Sequence, residues 1–195
     1  MLKIFEIFEK NKGKEEKKES NESIKEILKE TQNIKICADV LSLIHLAKIG
    51  IIDEVSKNFK IIITNKIKEE IEKELKENEN VAKILNEIIK NNGIIVEYVN
   101  YDEELLYYGL RGAELEVVEC FKEKKCDIIL SDDGTIRDNR EILDLKVIST
   151  PSFILYLTEK KILNKKEARN ALVMLRSEKW FTEWIIDECI RRVSQ

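Results

Sequence analysis

One proline, one histidine and six glycines in 195 residues leave few punctuation marks in this chain, and aromatic residues make up only 7% of it. With 37% charged and 43% hydrophobic residues beside that single proline, the composition reads as a soluble, helix-rich domain with enough apolar residues for a substantial core. The four cysteines, Cys37, Cys120, Cys126 and Cys189, contain no C-x-x-C pair, and His45 is the one imidazole available to join them. A zinc site and a disulfide framework are therefore not expected. Cys37 and Cys120 sit among apolar neighbours and read as small core residues. His45 lies in an apolar helical pattern and reads as structural rather than as a general base. No apolar run reaches the roughly 18 residues that a membrane span needs. The N-terminal stretch "MLKIFEIFEKNKGKEEKKES" has no long apolar core or small-residue cleavage site, so a cytoplasmic location is expected.

The net charge of −4 does not describe a chain that coats nucleic acid nonspecifically. It leaves a nuclease open, because a metal-binding pocket itself gathers negative charge.

Residues 1–33 read as a charged helical arm and linker. A short amphipathic helix, with Leu2, Ile4, Phe5 and Phe8 on one side, is followed by the solvated connector "KNKGKEEKKESNES" and a capping box formed by Ser23 and Glu26. From residue 34 the pattern alternates. "IKICAD" is a strand, "VLSLIHLAKIG" a helix stopped by Gly50, and "IIDEVSK" a further helical segment. "KIIIT" is the second strand, with Thr64 capping "NKIKEEIEKELKEN". The helix "NVAKILNEIIKNN" ends at Gly93, read as its left-handed terminator. "IIVEYV" is the third strand, and helices follow around "DEELLYYG" and "GAELEVVECFKEKK". "DIILS" is the fourth strand, "TIRDNREIL" a helix and "LKVIST" the fifth strand. Strands alternating with helices of this length predict a mostly parallel five-stranded sheet with helices on both faces, over residues 34–155. Residues 156–195 form a helical extension, which Trp180, Phe181 and Trp184 are expected to anchor against the domain. Stacking of these rings on RNA is the lesser alternative.

Ligands of open parallel sheets bind beyond the carboxyl ends of the strands. Two strands end there in aspartate: "KICAD" in Asp39, and "IILSDD" in Asp132 and Asp133. Glu69 and Glu70 lie in the first turns of the helix after the second strand, and Glu114 and Glu116 near the start of the helix before the fourth. Taken singly, each acid has an ordinary explanation as a helix cap or a solvated helix face. Taken together and unneutralised, they repel one another, and Mg²⁺ or Mn²⁺ suits such an all-oxygen set.

This ordered set resembles the PIN-domain ribonuclease family over residues 34–155. "ADVLSLIHLAKIGIIDEV" resembles the family's opening strand-acid-helix segment, with Asp39 as the first acid. "IIITNKIKEEIEKEL" resembles the second block, in which an apolar residue precedes the acid by three positions. Ile67 and Glu70 meet that spacing, which favours Glu70 over Glu69. "RGAELEVVECFKEKKCDIILSDDGTIRDNREILDLKVIST" resembles the remainder, with Glu114 as the third acid and Asp132 and Asp133 as the fourth and fifth. The resemblance implies an α/β/α sandwich and a Mg²⁺- or Mn²⁺-dependent endoribonuclease that leaves a 5′-phosphate and a 3′-hydroxyl. In that reading Asp39, Glu70, Glu114, Asp132 and Asp133 are catalytic. Asp39, Glu114, Asp132 and Asp133 hold metal, and Lys35, Arg111, Arg137 and Arg140 meet RNA phosphates.

Within the family, the "LIHLAKIGIIDEV" segment, the paired Glu114 and Glu116 and the helical tail resemble VapC-like toxin relatives, implying an antitoxin protein as partner, and the resemblance to PIN domains in general implies a homodimer. The "GAELEVVE…ILSDDGTIRDN" segment is also similar to the PIN domain of an archaeal ribosome-maturation endonuclease, but the cysteine pairs of that relative's zinc ribbon are missing. The chain departs from the family's pattern where Ser or Thr commonly follows the first acid: Val40 and Leu41 stand there, with Ser42 next. That departure keeps a non-catalytic RNA- or protein-binding module as the competing reading. A haloacid-type phosphatase would need an aspartate where Leu41 stands, and a receiver domain would carry its acid pair on the first strand.

Overall fold

The computed structural model describes residues 31–74, 79–100, 102–124 and 126–195. The amphipathic segment, connector and capping box expected before residue 31 lie outside the described residues.

Strand β1 (Lys35–Ala38) enters helix α1 (Val40–Lys48) through Asp39. Gly50 at φ 73° turns the chain into α2 (Ile52–Asn58), which leads to β2 (Lys60–Thr64). Thr64 Oγ1 accepts the Ile67 N–H and so opens α3 (Asn65–Glu74). Helix α4 (Glu79–Lys90) and β3 (Ile94–Glu97) follow. After a single-stretch 3₁₀ helix, Glu103–Tyr108, the chain forms α5 (Ala113–Glu123), β4 (Ile128–Leu130) and the short α6 (Gly134–Asp138). Strand β5 (Val147–Ile148) then leads into α7 (Thr150–Glu159), α8 (Lys165–Ser177) and α9 (Glu183–Ser194).

The five strands lie in the order β3-β2-β1-β4-β5, and every neighbouring pair is parallel. The composition of the strands explains the layering. Ile61, Ile62 and Ile63 are consecutive and all buried, so β2 buries residues on both faces of the sheet, as a parallel sheet covered by helices requires. The architecture is therefore the α/β/α sandwich implied by the resemblance. The chain builds outward from β1 to β3 and then returns to place β4 on the other side of β1. This reversal makes the β1–β4 boundary the topological switch point of the sheet.

Three local expectations need correction. The left-handed residue after α4 is Asn92, at φ 58°, not Gly93. Glycine at 93 answers a close approach instead, since a Cβ there would stand 2.8 Å from Ile88 Cγ2. The helix expected from Thr135 through Leu143 stops at Asp138. Asn139 Nδ2 donates to the Thr135 carbonyl and to the Tyr108 carbonyl, competing with continued helix and tying the turn to the 3₁₀ segment. "DEELLYYG" itself tightens to 3₁₀ and is closed by Gly109 at φ 78°.

The last three helices share the main core. Helix α7 crosses the expected 155/156 boundary, and its Phe153, Ile154 and Leu157 are buried with Leu172, Leu175 and Ile186 from α8 and α9. Phe153 packs against Phe59 at 5.5 Å and stacks on Tyr156 at 6.1 Å between ring centroids. Among the described residues, no helix is long and apolar enough to cross a membrane. Phe153→Ala should cost about 3–5 kcal/mol, because its fully buried ring leaves a cavity that three helices cannot collapse. Urea unfolding followed by circular dichroism measures the loss.

Candidate active site

Because β1 and β4 are neighbours, with Ala38 beside Leu130, the two aspartate-bearing strand ends meet. The Asp39 N–H donates to the Leu130 carbonyl at 3.1 Å, extending the ladder by one residue before the chains diverge. Asp39 is the N-cap of α1, and its Oδ1 accepts the Ser42 N–H at 2.7 Å. Its Oδ2 accepts the Ser131 hydroxyl at 2.5 Å and the Asp132 N–H at 3.1 Å. The first acid is thus fixed by the loop that follows β4, across 93 positions of sequence.

Asp133 caps α6, its Oδ1 accepting the Thr135 N–H at 2.7 Å and the Ile136 N–H at 3.2 Å. It also faces a cavity of about 270 Å³ whose walls include Asp39, Glu70, Glu114 and Arg111. Glu70 reaches the cavity from α3, one turn beyond buried Ile67. Glu69 is exposed and accepts a hydrogen bond from Asn65 Nδ2. Glu114 comes from the first turn of α5, where Gly112 takes φ 53° as N-cap. Its Oε2 accepts the Arg111 N–H at 2.9 Å. Glu116 lies apart from this cavity's walls and accepts the Lys66 N–H at 3.3 Å.

Asp132 has a different position from the one expected of a metal ligand. Its side chain is fully buried and does not line the cavity. Oδ1 accepts the Thr150 N–H at 2.7 Å, while Oδ2 accepts the Thr150 hydroxyl at 2.5 Å and His45 Nδ1–H at 2.8 Å. With donors on both oxygens, this carboxylate joins β4, α1 and α7 behind the site. Of the adjacent aspartates, Asp133 is the one that faces the cavity.

The basic residues are also divided. Arg111 lines the cavity, and its Nη1 donates to the Leu106 and Leu110 carbonyls. Lys35 belongs to the opposite end of β1, where Nζ donates to the Lys124 carbonyl. Four steps along the strand separate it from Asp39, roughly 13 Å, so the expectation that it meets a phosphate at this site is corrected. Arg137 is exposed on α6, and Arg140 donates to the Arg137 carbonyl and pairs with Glu141. Neither lines the cavity.

Four contributors were given no role at the site by the sequence alone. Ser131 supplies the hydroxyl that the position after Asp39 lacks, and Thr150 and His45 hold Asp132. Ser42 contributes its N–H. Trp180 was expected in the core but is 56% exposed. Its Nε1–H donates to the Asp132 carbonyl at 3.4 Å. Trp184 is likewise exposed, and Phe181 packs on His45 at 5.5 Å between ring centroids.

The acids of the cavity carry unbalanced charge. Burial, reinforced by the nearby Asp132 charge, pushes Asp39 up to about 6, although the Ser131 hydroxyl and the Ser42 N–H pull it down. Burial also raises Glu70, with Asp39 and Glu114 adding to the effect and Lys73 and Lys66 opposing it. Burial raises Glu114 too, opposed by the Arg111 N–H and reinforced by Asp133. An all-oxygen donor set under mutual repulsion has the chemistry that a hard divalent cation requires. Among the described residues, no three acidic, imidazole or thiol groups already converge tightly enough to hold an ion.

A PIN-domain family model matches residues 35–195, and the chain belongs to that family. PIN domains are generally nucleases. No curated protein and no solved structure matches the chain.

Two outcomes test this arrangement. Asp132→Asn should destabilise the fold by roughly 2–4 kcal/mol, since an amide nitrogen would face a donor in the buried network. Asp133→Asn should change stability by less than about 1 kcal/mol, because asparagine caps a helix as well as aspartate does. Thermal and urea unfolding compare the two. The second outcome concerns pH. The folded value of Asp39, about 6 against an ordinary 3.8, means that folding favours its protonated form. The group therefore costs stability above pH 6, by up to about 3 kcal/mol, and that cost fades as the pH falls from 6 to 4. In metal-free protein, Asp39→Asn should remove this part of the pH dependence of urea unfolding.

Proposed function

We propose that this chain is a divalent-metal-dependent endoribonuclease. The observation that carries this reading is a single cavity, at the switch point of a PIN-domain sheet, walled by carboxylates from four separate segments: Asp39, Glu70, Glu114 and Asp133. These four residues would hold Mg²⁺ or Mn²⁺. When bound, such an ion supplies the charge that activates water and stabilises the departing oxygen of a phosphodiester.

The chain's own residues set the conditions for that chemistry. Ser42 N–H, Ser131 Oγ–H and Asp132 N–H fix the Asp39 carboxylate, leaving its remaining lone pairs for the cavity. Glu70, from the second turn of α3, and Glu114, from the first turn of α5, would complete the donor set through their longer side chains. Arg111 brings a positive charge to the rim, where it meets a substrate phosphate. Asp132 acts through its neighbours: with His45 and Thr150 it holds the loop that presents Ser131 and Asp133, and so is a positioning residue.

The competing reading is a PIN-like binding module without turnover. Hydrogen bonds already placed on both oxygens of Asp39, together with donors that do not yet converge, favour it. Incubating the chain with a pooled single-stranded RNA, with Mn²⁺ or with EDTA, separates the two. A nuclease should cut only with Mn²⁺, leaving 5′-phosphate ends, and Asp39→Asn, Glu70→Gln and Asp133→Asn should each lower the rate by on the order of 100-fold or more. A chain that cuts equally in EDTA, or whose three variants cut like wild type, is not this enzyme. Calorimetry that finds no millimolar or tighter Mn²⁺ site decides for the binding module.

A further inference from the structure

Beside the acidic cavity lies a second, larger one of about 530 Å³. The two share Val40, Leu41 and Glu70, so they adjoin, with the carboxylates at one end. The far end is walled by Trp180 and His45 and by Lys48 and Glu178, which pair with each other, while Lys73 brings positive charge. Trp180 differs from an ordinary exposed aromatic because its surroundings fix it. Its Nε1–H is bonded to the Asp132 carbonyl, and its ring leans on His45 with 6.2 Å between centroids. The loop that carries it is tied down on both sides: Glu178 pairs with Lys48 at 2.6 Å, and Phe181 packs on His45. The indole is thus immobilised through one edge while more than half of the residue remains open to solvent.

We propose that Trp180 is a stacking platform for one unpaired base of a single-stranded RNA whose backbone runs through the acidic cavity. This inference rests on the nucleic-acid reading above. A fixed, exposed indole gains the stacking of a base without first losing its own rotamer freedom. Lys73, which lines the same cavity, offers the backbone a positive charge. Because the indole hydrogen-bonds the backbone of Asp132, one residue from Asp133, the stacked nucleotide lies next to the one whose phosphate enters the acidic end. A duplex has no free base face to offer, so the platform selects unpaired RNA.

The test is binding of a fluorescein-labelled mixed-sequence RNA 10-mer to the full chain in EDTA, read by anisotropy, with melting temperatures recorded for every variant. Trp180→Leu should weaken binding by at least about fivefold, the lower end of what one lost base stack produces. Trp180→Phe, which keeps a ring face, should stay within about threefold of wild type, and Trp184→Leu should change nothing. With Trp184→Phe as background, the remaining indole fluorescence should be quenched by the RNA. The matching duplex should bind wild type and Trp180→Leu equally. Binding by Trp180→Leu within twofold of wild type at an unchanged melting temperature overturns the proposal. So does a Trp180→Phe variant as weak as Trp180→Leu, which would assign the effect to the Nε1 hydrogen bond. The Mn²⁺ cleavage assay on the same RNA reads the nuclease proposal separately. A chain that binds through Trp180 but does not cut sinks the nuclease alone, while a cutting chain indifferent to Trp180→Leu sinks the platform alone.

Discussion

The parallel pairing of β1 with β4 is the constraint from which the site follows. It brings Asp39 within reach of the loop that carries Ser131, Asp132 and Asp133, and that loop then immobilises Asp39 through a hydroxyl and an N–H. Without this adjacency the acids would remain on separate strand ends. With it, a carboxylate is forced into a buried position where its charge is costly and its pKa rises. The helices supply the other two acids, Glu70 from the second turn of α3 and Glu114 from the first turn of α5.

Two neighbouring aspartates have divided the work by orientation. In an extended segment successive side chains point to opposite sides, so Asp132 and Asp133 cannot both face the cavity. Asp133 faces outward and caps α6. Asp132 faces inward, where Thr150 and His45 satisfy both of its oxygens. Through Thr150 the carboxylate binds the start of α7, and through its carbonyl it receives the indole of Trp180. The C-terminal helices are therefore mechanically tied to the loop after β4, and the family match likewise continues to residue 195.

Much of this was legible before any coordinates. Buried parallel strands announce themselves as isoleucine runs, as in "KIIIT", and acids that end such runs stand out against the apolar background. Asp39, Glu70, Glu114 and Asp133 line one cavity because their positions follow from strand ends and helix starts, which the sequence marks. The separate fates of Asp132 and Asp133 were not legible, since side-chain direction at a strand end depends on the neighbouring elements. Lys35 was misplaced for a related reason. Closeness to Asp39 in sequence is not closeness in space when the intervening residues are extended. Trp180 misled because a large aromatic usually indicates burial, whereas here its hydrogen bond holds it at the surface. Ser131 and Thr150 escaped notice because serine and threonine are ordinary at strand ends, and only the fold shows that they donate to the acids.

The hydrogen bond between Asp39 and the loop after β4 also has a consequence in time. A chain is made from its N-terminus, and contacts spanning 93 positions cannot form until the distal partner has been synthesised. Closing such a distant contact is also a slow part of folding. While β1, β2 and β3 emerge and begin to associate, Asp39 and Glu70 are present without Ser131 or Asp133, and α7, which anchors Asp132, comes later still. The nascent polypeptide therefore passes through most of its synthesis with an incomplete donor set. Strand order alone therefore dates the completion of this site to the last third of the chain's synthesis.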